Sequence, residues 1–191
     1  MFTKLMIPAG YMYKKVANKP AGFDVDGVER IYSVSGCISD DFCDWFNQWK
    51  HNGYWFFDAP HLMREIAQQK GIDLTGMTLF FYKVFGYQWN DDDKLWDVFG
   101  PEESFPTQVA LPRSTKLEGF DVVTYSAGSG AEHSPLSCNY LAKKLHVNAN
   151  CLLNTFEEAK DHIEAGTLSH GEPGPYRIIE VHLVEGEHRA I

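Results

Sequence analysis

The chain has 191 residues, 44% hydrophobic and 14% aromatic, which is enough to build one sizeable core without disulfide or metal staples. Its net charge of −9 disfavours nucleic acid and anionic membrane as partners, because phosphate binding needs clustered Lys and Arg. Only Lys14-Lys15 and Lys143-Lys144 stand together.

No apolar run approaches the roughly 18 residues that span a bilayer. The opening MFTKLMIPAGYMYKKV lacks the apolar stretch and the small-residue cleavage site of a signal peptide, so a cytoplasmic location is expected. In a reducing compartment Cys37, Cys43, Cys138 and Cys151 are expected as free thiols. No stretch resembles a family of known function.

In chain order, Phe2 to Ile7, Tyr11 to Val16 and Val28 to Val34 read as strands, with Pro8-Ala9-Gly10 and Pro20-Ala21-Gly22 as turns. Ser39 caps a first helix whose stripe is Phe42, Trp45, Phe46 and Trp49, and Gly53 ends it. Tyr54 to Phe57 then reads as a buried strand. A second helix starts near Asp58, with Pro60 just inside and Gly71 as its stop. Met77 to Trp89 is a long interior strand, and Asn90 to Asp93 turns it into a hairpin with Lys94 to Phe99.

Residues 100–118 read as a long loop or an internal boundary, punctuated by Gly100-Pro101 and Phe105-Pro106. Gly119 to Tyr125 is a strand, followed by a Gly/Ser loop to His133. Ser134-Pro135 opens a third helix lined by Cys138, Leu141, Ala142 and Leu145. Thr155 to Glu158 is a capping box that opens a fourth, closed by Gly166. Tyr176 to Val184 alternates, with Glu180 and His182 on a solvated face.

No internal repeat is visible. The expectation is a single α+β domain, a mixed or largely antiparallel sheet with about four helices packed on it.

Two function classes follow. The first is an acidic binding protein that neutralises a basic partner, as inhibitors and immunity proteins do. Its contributors are Asp91, Asp92 and Asp93 on one turn, with Glu102 and Glu103 in the loop beyond. The second is a small-molecule enzyme of hydrolase or transferase type built on residues 126–139. There Cys138 in a helix's first turn is the nucleophile, with His133 as base and Glu132 or Asn139 nearby. Against it, Cys138 falls on an apolar stripe, where free cysteine belongs to the core.

The loop before it fits neither the phosphate-binding nor the dinucleotide pattern, because Gly-Lys-Ser/Thr is missing and His133 replaces the third glycine. His133, Cys138, His146 and Cys151 have zinc-type side chains but not zinc spacing. Counted from Asp91, a calcium loop fails at Trp96, where glycine is required. No metal or cofactor is expected.

Overall fold

The computed structural model describes residues 5–19, 23–36, 38, 40–42, 50–125, 133–169 and 171–186. In chain order the elements are β1 (Met6–Lys14), β2 (Ala17–Asn18), β3 (Arg30–Ile31), α1 (Pro60–Lys70), β4 (Thr78–Asn90), β5 (Leu95–Val98), β6 (Thr115–Thr124), α2 (Phe156–Glu164) and β7 (Tyr176–Val184). The strands β1, β4, β7 and β6 lie side by side in that order, and β5 pairs with the far end of β4. Every pairing is antiparallel.

The expectation of about four helices on a sheet is therefore wrong. Among the described residues there are two α-helices, and the sheet dominates. The helix expected from Ser39 falls largely outside the described residues. The one expected from Ser134 does not form. A first turn begins, with the Cys138 amide donating to the Ser134 carbonyl at 2.8 Å. Tyr140 then adopts φ 58°, a left-handed conformation that stops propagation. A 3₁₀ turn at Leu141–Lys143 is all that follows.

The two helices that do form match their sequence signals. Thr155 and Glu158 make a reciprocal capping box on α2. Gly71 closes α1 at φ 67°, and Ile72 donates back to the Ala67 carbonyl at 2.9 Å. Residues 100–114 hold no helix or strand, and β6 starts at Thr115. That connection is anchored where the Tyr11 hydroxyl donates to the Ala110 carbonyl at 2.6 Å.

Pro8-Ala9-Gly10 is not a turn. It is a bulge inside the single strand β1, where the register shifts between Pro8 and Gly10. Gly119 marks the matching shift in β6. The glycine is obligatory at both places. φ is +133° at Gly10 and +146° at Gly119, and an added Cβ would stand 2.7 Å from the carbonyl oxygen of Phe57 or Leu153.

These bulges expose a repeat that the sequence hides. Gly10 pairs Tyr82, Met12 pairs Phe80 and Lys14 pairs Thr78. In the other half Gly119 pairs Val181, Asp121 pairs Ile179 and Val123 pairs Arg177. Tyr82 pairs Val181 at the sheet's centre, so an approximate two-fold axis passes between them. Beside each bulge sits a tight hairpin held by an asparagine. Asn52 donates to the Ala9 carbonyl (2.9 Å) and accepts from the Tyr54 and Phe56 amides. Asn148 donates to the Glu118 carbonyl (2.8 Å) and accepts from the Asn150 and Leu152 amides. Trp55 and Cys151 take the same left-handed conformation in the two hairpins.

Strand alternation gives the sheet two faces. Tyr13, Phe85 and Phe120 share one, on which Arg64 of α1 reaches Tyr13 and Phe156 of α2 packs against Phe85 and Phe120. The other carries Lys14, Phe80, Tyr82 and Asp121. The long connections cover it, with Tyr32 against Phe80 and Phe56 against Tyr82.

Replacing Asn52 or Asn148 by Ala strands one strand carbonyl and two hairpin amides. Each change is expected to cost roughly 1–3 kcal/mol in urea unfolding. Midpoints equal to that of the parent chain would show that the hairpins hold themselves.

Candidate functional site

Two clusters of titratable groups and one acidic surface stand out. The first cluster lies under the loops. Lys14 is 1% exposed, and its ammonium donates to the carbonyls of Ser33, Val34 and Ser35, each at 2.8 Å. Asp121 is fully buried. Its Oδ2 accepts from the Val34 amide (2.8 Å), and its Oδ1 accepts from the Val122 amide (2.9 Å) and the Ser134 hydroxyl (2.6 Å). Burial pushes the Asp121 carboxyl up to about 6, against the pull of these donors and of Lys14. At the sheet's centre the buried Tyr82 hydroxyl has no hydrogen-bond partner among the described residues, and burial raises its pKa.

Cys138 borders this cluster. Its sulfur lies 3.1 Å from the Ser35 hydroxyl and 3.4 Å from the Ser134 amide. It is disulfide-bonded, which overturns the expectation of a free thiol there. A disulfide sulfur carries no thiolate, so nucleophilic chemistry at Cys138 requires prior reduction. His133 forms a bridge with Thr124 at the outer edge of β6. Glu132 lies outside the described residues. Asn139 is partly buried, and its Oδ1 has no hydrogen-bond partner among the described residues. Cys151 is free and buried, and burial drives its thiol up to about 12, away from reactivity.

The second cluster lies on the helix side. Glu180 and His182 are 8% and 7% exposed, so the solvated face expected for β7 is in fact buried. Glu180 accepts from Lys83 (3.3 Å) and from His182 Nε2 (3.0 Å), and His182 Nδ1 lies 3.4 Å from the Thr115 hydroxyl. Burial raises the Glu180 carboxyl, but His182 and Lys83 together outweigh it and hold the pKa below the ordinary value. Sequence spacing put Glu180 and His182 on one face but pointed to neither Lys83 nor Thr115, which sit on other strands far away in the chain.

The acidic surface is at the tip of the β4–β5 hairpin. Asn90 organises it by accepting from the Asp92 and Asp93 amides (3.0 and 3.2 Å) and donating to the Asp93 carboxylate (2.9 Å). Asp91 pairs with Lys94 at 2.7 Å. Two carboxylates missed in the sequence join this end. Glu164, at the end of α2, accepts from the Trp96 indole at 2.7 Å. Glu172 acts with Asp91 on the Tyr176 phenol, which burial first and these two charges next push up to about 12. Glu102 and Glu103 do not join it. They follow β5 at its opposite end, where the Glu102 amide donates to the Gly53 carbonyl at 2.9 Å.

Among the described residues no group of three or more His, Cys, Asp or Glu is placed to hold a metal ion. No family model, curated protein or solved structure matches this chain.

The chemistry of the loop-side cluster is testable through pH. The folded pKa of Asp121, about 6, exceeds its ordinary 3.8, so the native state binds the proton more tightly than the unfolded chain. The resulting stabilisation is complete below pH 3.8 and is lost as pH rises through about 6. Two units correspond to ~3 kcal/mol. Parent and Asp121→Asn chains should therefore diverge in the pH dependence of urea unfolding across that window. Parallel profiles would mean that Asp121 stays ionised throughout.

Proposed function

We propose that this domain recognises a basic protein partner, as an inhibitor or an immunity-type protein does, through the tip of the β4–β5 hairpin. The observation that carries the reading is the gathering of Asp91, Asp92, Asp93, Glu164 and Glu172 from three separate chain segments onto one end of the sheet. Lys94 and Lys160 are the cations paired there. Like charges held together repel, and a cationic surface would relieve that cost.

Apolar contact area is available beside the charge. Leu95 and Val98 of β5 are 53% and 80% exposed. An apolar strip next to a charged rim is the usual composition of a binding surface. The cytoplasmic site of action expected from the sequence fits poorly with the disulfide at Cys138, because disulfides are rare in a reducing compartment. No helix among the described residues is long and apolar enough to cross a membrane.

Reversing Asp91, Asp92 and Asp93 together to Lys tests the reading. Proteins held by the parent chain in a lysate capture at low salt should be lost with the variant and lost from the parent at high salt. For a purified partner the association rate should fall about tenfold or more on reversal, as expected when long-range steering is removed. An identical set of captured proteins, with rates flat across salt, would remove this turn from recognition.

A further inference from the structure

The two long connections differ in length and sequence although they leave from equivalent strands, and they meet in an open groove of about 420 Å³. Residues 24–27 of the first connection form one wall, and residues 142–147 of the second form the other. Loops inserted on a repeated scaffold are where function is free to diverge, and the volume falls in the range of small-molecule sites.

The chemistry of the walls is complementary. Asp24 and Asp26 line one side and Lys143 and His146 the other, with Val25 and Leu145 between them. These charges do not satisfy one another. Asp24 is held only loosely by Lys19, at 3.8 Å. Among the described residues Asp26 and Lys143 have no ion-pair partner, and Lys143 rests over the Tyr140 ring. The His146 Nδ1 lies 3.4 Å from the Asn154 amide nitrogen. If that nitrogen donates, the imidazole proton sits on Nε2, which is then a donor.

We propose that this groove binds a small zwitterion, its ammonium against Asp24 and Asp26, its carboxylate against Lys143 and His146, and an apolar chain over Val25 and Leu145. This does not depend on the hairpin reading, because the groove and the hairpin tip share no residue.

The test uses three probes on the intact chain: 6-aminohexanoate, hexylamine and hexanoate, followed by amide shifts in nuclear magnetic resonance. The zwitterion is expected to shift amides of residues 24–27 and 142–147 and to bind about threefold or more tightly than either single-charge probe, the scale of an exposed ion pair. In Asp24→Asn/Asp26→Asn its advantage over hexanoate should vanish. In Lys143→Gln its advantage over hexylamine should shrink. Asp24, Asp26, Lys143 and His146 are all exposed, so these changes spare the core. Shifts scattered over the chain, no shifts, or equal affinity for the three probes would overturn the proposal.

Discussion

The loop side of this fold depends on how one residue, Val34, is held between two buried charges of opposite sign. Its amide donates to Asp121 and its carbonyl accepts from Lys14. A buried ion is tolerable only when its bonding capacity is filled. Lys14 fills its three donors with consecutive carbonyls, and Asp121 fills its oxygens with two amides and a hydroxyl. The peptide groups between them are polarised from both ends, which strengthens each bond. Through Ser134 the same carboxylate also holds the second connection. Two long loops, which could not settle on an apolar sheet by shape alone, are thereby registered against each other.

That device breaks the symmetry on which the sheet is built. The position equivalent to Lys14 is Val123, and the position equivalent to Asp121 is Met12. Each half thus supplies one charge where the other has an apolar side chain. The parts that stay alike are those that backbone geometry dictates, namely a glycine that lets a hairpin approach a strand and an asparagine that ties them together. On the opposite face the same departure recurs: the Phe81–His182 pair is matched across the axis by Glu180–Lys83. The charges there also end up paired, with Glu180 and His182 buried and Lys83 partly exposed.

What the sequence revealed was local. The capping box at Thr155, the stop at Gly71, the hairpin at Asn90 and the strand from Tyr176 to Val184 each rest on neighbours within a few residues, and each is where the spacing placed it. What it hid was non-local. Gly10 looks like a turn residue because its reason for being glycine, the Phe57 carbonyl, is distant in the chain. The third helix satisfied the periodicity of Cys138, Leu141, Ala142 and Leu145. But the Ser134 hydroxyl bonds to Asp121 rather than capping a helix, and the backbone turns left-handed at Tyr140. Of the acidic set, the turn at 91–93 was legible, whereas Glu164 and Glu172 reach it only through tertiary packing.

The distribution of charge bears on function in the same physical terms. Asp121 and Cys151, both strongly shifted, are shielded from solvent, and their roles are structural: one clamps loops and the other fills a left-handed turn. A perturbed carboxyl marks chemistry only where a substrate could reach it. Charges that remain in contact with water and incompletely compensated gather at the hairpin tip and in the groove between the connections. Both lie at the margins of the sheet, on elements whose geometry the buried clamp and the paired strands have already fixed. A rigid interior that consumes its own polar groups leaves recognition to these rims, where attraction is long-range and responsive to salt.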